Sequence, residues 1–425
     1  MHKRSKAPSI FNNLIPALPP VQTISLSNGL PCFELRTGTQ DILKIDIQFG
    51  AGRPFELKPQ VSRFTCNALR EGSGKRSSAE IARFFDYYGS SLIISENLDY
   101  SGYTLYCLKK HANELLPVFS ELLLDPSFDQ KEIDKLKKVS IEKLKQDMGK
   151  NDFVAYRHFT EALFGSAHPY GYNSYSQTIE AVNREDLTEH YSRLYNASNG
   201  LLFVSGKTDD DLLRLVDDCF GILPKGIAQS PLNLNPSSVA PGKYLFEGPN
   251  KHQTAVRIGK RLFDRNHPDF DDLYVLNTIL GGYFGSRLMS SIREDMGLTY
   301  NIYSSIDTMR FDGAFMIAMD TDKTYLKEGV DQIYLELQKL CTEPVGNEEL
   351  AMVKNYLMGY LISALDGPLN ASELIKGLLT EGSTLGRFDE LVSSIKSIDS
   401  YRLLELANTY LQPDDMIELI VGSEN

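Results

Sequence analysis

Apolar residues recur along this chain at two spacings, and the switches between them mark its elements. Residues 22–27 and 32–35 alternate around Asn28-Gly29, which predicts a hairpin with positive φ angles at the pair. Residues 42–49 alternate again, with Leu43, Ile45, Ile47 and Phe49 on one face. Helical spacing predicts helices at 59–69 and 78–88, the second opening on a capping pattern and stopping at Gly89. Strands are predicted at 91–95 and 101–108, then long helices at 112–124, 130–148 and 152–164. A helix at 184–195, a buried strand at 201–205 and a helix at 209–220 close this half. Residues 1–20 read as an irregular, Pro-punctuated lead-in. Residues 225–242 lack periodicity and are rich in Pro, Ser and Asn, which places an interdomain linker there.

The second half replays the first. Asn266-His267-Pro268 opens a helix as Lys58-Pro59 does, Gly281-Gly282 interrupts as Gly72 does, and Gly297 stops the next helix as Gly89 does. Asp125-Pro126-Ser127-Phe128 with Glu132-Ile133 is echoed by Glu343-Pro344-Val345 with Glu349-Leu350, the later helix running to about Ala364. One unit of about 200 residues therefore occurs twice. The expected fold is α+β: two homologous domains, each a largely antiparallel sheet packed with helices, joined by the linker into a clamshell-like arrangement. Residues 1–224 form the first domain, 225–242 the linker and 243–425 the second domain.

Composition narrows the function. A net charge of -12 argues against nucleic acid or anionic lipid as a partner. Five scattered cysteines without a Cys-x-x-Cys pair fit a reducing compartment. No stretch approaches the roughly 20 apolar residues of a membrane helix. The basic N-terminus breaks its apolar residues with Asn12, Asn13, Pro16, Pro19 and Pro20, so no secretory signal is read there and the expected location is cytoplasmic.

The chemistry concentrates in residues 281–304, GGYFGSRLMSSIREDMGLTYNIYS. A glycine-loosened loop leads into a short helix beginning at Ser286, a residue type suited to capping, with Leu288, Met289 and Ile292 on its apolar face. Gly297 ends it, and residues 298–303 alternate as a strand. Arg293 then lies in the last helical turn and Tyr300 on the strand. Taken singly, such an Arg complements the helix dipole and such a Tyr is half-buried packing.

The whole string, Gly-x-x-x-Ser-Arg-Leu, Ile-Arg-Glu and Gly-Leu-Thr-Tyr, resembles the C-terminal half of the insulinase/pitrilysin family of zinc peptidases. In that family an Arg and a downstream Tyr bind the substrate backbone beside the scissile bond, and Arg293 and Tyr300 fall on those positions. The resemblance also implies a zinc site in the first half, with two His and a general-base Glu in the order His-x-x-Glu-His and a distant acidic ligand. Counting back from Gly72-Ser73 gives Arg63-Phe64-Thr65-Cys66-Asn67 instead. Arg63 and Asn67 stand at the histidine positions and Cys66 at the base position. Lys143 stands at the third-ligand position with Glu142 beside it; a one-residue slip exchanges those two but restores no histidine. The flanks still match at 50–53, at 75–81 and at His168-Pro169-Tyr170-Gly171.

Other constellations are weaker. His158-x-x-Glu161 lacks a second His, His168 reads as structural, and Asp269, Asp271 and Asp272 suit a first helical turn. No phosphate-binding glycine pattern and no Gly-x-Ser-x-Gly elbow is present. The resemblance therefore implies a non-catalytic subunit, inactive alone, with no cofactor on this chain. A homologous partner would carry the zinc, and Arg293 and Tyr300 would hold an unfolded peptide in its active site. The alternative is a stand-alone peptide-binding or scaffolding protein, and homodimer formation is left open.

Overall fold

In the computed structural model, which describes residues 15–232 and 234–422, the alternating stretch at 42–49 becomes an inner strand of the first of two sheets. The first half runs β1 (Gln22–Ser25), β2 (Pro31–Leu35), β3 (Ile42–Phe49), α1 (Val61–Ala68), α2 (Ser78–Tyr87), β4 (Ser91–Glu96), β5 (Ser101–Leu108) and α3 (Ala112–Leu124). It continues with α4 (Gln130–Asp147), α5 (Asn151–Phe164), α6 (Ser176–Ala181), α7 (Arg184–Leu194), β6 (Gly200–Gly206) and α8 (Asp210–Phe220). The second half begins with β7 (Gly242–Glu247), β8 (Gln253–Leu262), α9 (Phe270–Asn277), β9 (Thr299–Thr308) and β10 (Gly313–Asp322). It ends with α10 (Leu326–Thr342), α11 (Asn347–Ala364), α12 (Gly367–Thr380), α13 (Gly386–Ser397), α14 (Ser400–Tyr410) and β11 (Ile417–Gly422). Of the lead-in, residues 1–14 lie outside the described residues, and 15–20 carry no helix or strand.

The sheet orders are β1-β2-β6-β3-β5-β4 and β7-β11-β8-β10-β9. With β1 set aside they coincide strand for strand. Each contains one parallel pairing, β2 with β6 and β7 with β11, among antiparallel ones. The echoes in sequence are thus a repeat of topology, and the fold is α+β in two homologous halves. Among the described residues, no helix is long and apolar enough to cross a membrane.

Each half lends a helix to the other's sheet. On β3, Leu43, Ile45, Ile47 and Phe49 enter the core of the first half. The opposite face, Lys44, Asp46 and Gln48, is buried as well, because α12 of the second half covers it. Lys44 Nζ lies 2.6 Å from Glu373 Oε1, and Lys376 Nζ lies 2.9 Å from Asp46 Oδ2. Reciprocally, α5 lays Val154, Ala155, Phe159 and Leu163 on the second sheet, against Ala255, Met316, Ala318 and Leu419. Gly259 makes room for this helix, since a Cβ there would meet Phe159 Cζ at 2.9 Å. Asp152, in the first turn of α5, pairs with the buried Arg257 of β8. A polar face that would be solvated in an isolated half is therefore the surface through which the halves lock.

The first turn differs in one respect from its sequence reading. Only Gly29 takes a positive φ, 91°. Asn28 acts through its amide, Oδ1 accepting from Leu30 N–H at 3.0 Å and Nδ2 donating to the Phe220 and Leu223 carbonyls at 2.9 and 3.0 Å.

Candidate functional site

α1 buries Val61, Phe64, Thr65, Cys66 and Ala68, which leaves Arg63 and Asn67, one turn apart, on its partly exposed face. The carboxylate of Glu96, at the end of edge strand β4, meets both. Its Oε1 is 3.3 Å from Arg63 Nε, and its Oε2 accepts from Asn67 Nδ2 at 2.6 Å. Burial pushes the Glu96 carboxyl up, against the opposing pull of Arg63 and Asn67. Cys66 turns inward, and burial pushes its thiol to about 12, far from the thiolate a metal needs. Lys143 lines a cavity of about 270 Å³ together with Arg63. Glu142 faces solvent instead and pairs with Lys145 at 2.9 Å.

Zn²⁺ does not fit this set of groups. A guanidinium and an ammonium have no lone pair to give, and the Glu96 carboxylate is engaged by Arg63 and Asn67. Among the described residues, no cluster of three His, Cys, Asp or Glu side chains is placed to hold a metal. The sequence count gave Arg63, Asn67 and Lys143. It missed Glu96, which sits on a strand and follows no spacing rule from the helix.

Arg293 and Tyr300 stand at the other sheet's edge, and their local structure departs from a plain helix and strand. α9 runs on into a π turn, Thr278–Gly282, and after the loop the second helical stretch is π over Met289–Asp295. Met296 N–H reaches back to Ser291 O at 3.1 Å. Ser286 does not cap this stretch: its buried hydroxyl has no partner. The preceding π turn lies hard against β9, for a Cβ on Gly281 would come within 2.4 Å of Ser304 N. Leu288, Met289 and Ile292 pack into the second core, while Arg293 lies over the exposed Phe284 ring, 5.1 Å from its centroid.

Gly297, at φ 66°, then reverses the chain into β9, the edge strand. Asp320 pairs with Asn301 but Thr321 pairs with Thr299, so Tyr300 is an extra residue without a cross-strand partner. Such a bulge bends an edge strand and re-aims a side chain. Thr299 holds it: Oγ1 donates to Asp320 O at 2.5 Å and accepts from Asn301 N–H at 3.1 Å. Tyr300 is 97% exposed. Among the described residues, neither the Arg293 guanidinium nor the Tyr300 hydroxyl has an ion-pair or hydrogen-bond partner.

The remaining candidates are structural. His158 stacks on Phe246 with ring centroids 4.0 Å apart, and buried His168 accepts from Tyr170 N–H at 3.1 Å. Asp269 and Asp272 bind Arg402 of α14 at 2.5 and 3.0 Å, and Asp271 binds Arg387 of α13 at 3.2 Å. These acids fasten α9 to its neighbours as well as suiting its dipole.

The family model described as insulinase (peptidase family M16) matches residues 39–169, and that described as peptidase M16 inactive domain matches residues 181–357. The uncharacterized zinc protease YmxG of Bacillus subtilis is 26% identical over 415 residues, spanning 95% of this chain and 99% of its own. The non-peptidase homolog YmxG of Helicobacter pylori is 24% identical over 356 residues, 78% of this chain and 81% of its own. The crystal structure of a peptidase M16 inactive domain from Pseudomonas fluorescens superposes with a TM-score of 0.88 at 22% identity, covering 95% of this chain and 98% of that one.

Proposed function

The chain belongs to the insulinase (M16) peptidase family, and from that premise we propose that it is the substrate-holding, non-catalytic subunit of a two-chain zinc metallopeptidase. The observation that carries this reading is the bulge at Tyr300. A phenol lifted out of the ladder on an edge strand, braced by Thr299 and following an Arg without a carboxylate partner, is left in solvent where packing has no use for it and a ligand can reach it. Arg293 and Tyr300 donate hydrogen bonds to a peptide carbonyl oxygen, and those bonds strengthen as negative charge grows on it. The attacking water and its metal come from a homologous partner with an intact His-x-x-Glu-His, because the equivalent position here is closed by Arg63, Glu96 and Asn67. The substrate is an unfolded peptide, extended so that its carbonyl groups are accessible. Five unpaired cysteines support a cytoplasmic location.

The test is to purify this chain alone and together with a zinc-bearing homologue, and to measure metal content and cleavage of a quenched peptide. The chain alone should carry no stoichiometric zinc and cleave nothing, and the pair should cleave faster than the partner alone. Cleavage by this chain with its own bound zinc overturns the reading. Failure of the partner to gain activity supports the scaffolding alternative.

A further inference from the structure

The two halves enclose a matched pair of cavities. In the first, α5 contributes Phe153, Tyr156, Arg157 and Thr160. In the second, α12 contributes Asn370, Glu373, Leu374 and Gly377 at the same i, i+3, i+4, i+7 positions. Lys143, Leu144 and Asp147 of α4 are likewise matched by Tyr360, Leu361 and Ala364 of α11. The cavities are therefore repeat mates, of about 270 and 590 Å³, and one serves as an internal control for the other.

Their electrostatics differ. In the second cavity both guanidinium groups are neutralised from within the half, Arg387 by Asp271 at 3.2 Å and Arg265 by Glu381 at 3.0 Å. The first is lined by four cations, Arg53, Arg63, Lys143 and Arg157. Among the described residues, only Arg63 has a carboxylate within ion-pair distance, Glu96; Glu96 also attracts Arg53 and Lys143, and Glu161 attracts Arg157, at longer range. The one acid in the lining, Asp147, is taken by Lys150 at 2.7 Å. Arg53 donates to the Pro169 and Tyr172 carbonyls at 3.4 and 3.2 Å and lies over the Tyr172 ring. Arg157 is only 9% exposed. Its guanidinium lies 5.7 Å from the Phe153 ring centroid and 5.1 Å from that of Tyr175. Glu161, one turn on, accepts from Asn173 at 3.0 Å and forms no ion pair with it. Four cations lining one small cavity, three of them without a carboxylate in direct contact, concentrate positive charge at one place in a chain of net charge -12.

We infer that this cavity is an oxyanion-binding site, taking a carboxylate or phosphate group against Lys143, Arg53 and Arg157. The cavity presents guanidinium and ammonium groups, hydrogen-bond donors without lone pairs, to whatever enters it. The ligand enters past Lys143, the exposed member of the set, and meets guanidinium groups braced on aromatic rings, a geometry suited to planar or tetrahedral oxyanions. The inference does not rest on the peptidase reading, since no partner chain and neither Arg293 nor Tyr300 takes part.

The experiment is calorimetric titration of the full chain at fixed ionic strength with inorganic phosphate, with a short peptide ending in a free carboxylate, and with the same peptide amidated. Saturable binding of phosphate or of the free-acid peptide at one site per chain is expected. Lys143→Gln, at an exposed position where folding is not at stake, should weaken it about tenfold. Phosphate binding alone identifies a phosphoryl ligand, and binding of the acid but not the amide identifies a carboxylate. No saturation below ~10 mM of either, or equal affinity in Lys143→Gln, overturns the assignment.

Discussion

Replacing Lys376 by Met tests whether exchanged helices, rather than the linker, hold the two halves together. Lys376 reaches from α12 to the fully buried Asp46 of β3 at 2.9 Å and also pairs with Glu373 at 2.7 Å. Burial works against its ammonium, but Asp46 and Glu373 outweigh that cost and raise its pKa. Methionine keeps the stem and removes the charge, so Asp46 is left with Lys44 at 3.6 Å, Gln48 at 2.6 Å and Thr104 at 2.9 Å. Breaking a buried pair costs about 3–5 kcal/mol, and the surviving partners put this case at the lower end, about 3 kcal/mol. With a urea slope of about 3 kcal/mol per molar or more, the unfolding midpoint falls by up to about 1 M. Adding Asp46→Asn should recover part of the loss, with a coupling of about 1–3 kcal/mol in the double-mutant cycle. Fluorescence- and dichroism-detected unfolding should also coincide, because neither sheet is covered without the other half. A loss under about 0.5 kcal/mol, the range of an uninvolved surface site, or two separate transitions, would refute the argument.

Two further outcomes follow from local geometry. Thr299→Val deletes the hydroxyl that braces the bulge and should cost about 1–3 kcal/mol by urea denaturation; an unchanged midpoint would mean that the bulge stands without it. His190 is buried, with Nε2 2.9 Å from Ala51 O, and burial depresses its pKa to about 4. Below its unfolded value of 6.5 the unfolded chain takes up a proton that the folded chain refuses, so stability falls between pH 6.5 and about 4, by about 3 kcal/mol in full. His190→Gln should flatten this slope in stability measured against pH, and a slope unchanged by the substitution would assign it to other groups.

Periodicity was most informative where one face alone meets a core. The helix at 112–124 appears with those bounds, because Leu115 and Phe119 and their neighbours answer only to the first core. It was least informative where a second surface arrives from far along the chain. Nothing local says that Lys44 and Asp46 are buried, since α12, which buries them, is encoded more than three hundred residues later. The same holds around Arg63. Arg63, Asn67 and Lys143 could be found by counting along helices, whereas Glu96 arrives on a strand and Arg157 on a helix shared with the other sheet. Around Arg293 and Tyr300 the sequence supplied the residues but not the π turns or the bulge. The bulge is a matter of cross-strand register with β10, which no local pattern encodes.

In the proposed two-chain complex Arg293 and Tyr300 act on a peptide held at a partner's metal. The decisive measurement is kcat for a quenched peptide by the two-chain complex, with this chain carrying Arg293→Ala or Tyr300→Phe and its assembly verified by gel filtration. Loss of a donor to the developing oxyanion should lower kcat by about 10²-fold in each variant, with a smaller change in KM. Turnover unchanged within about twofold, in complexes that still assemble, would contradict the account.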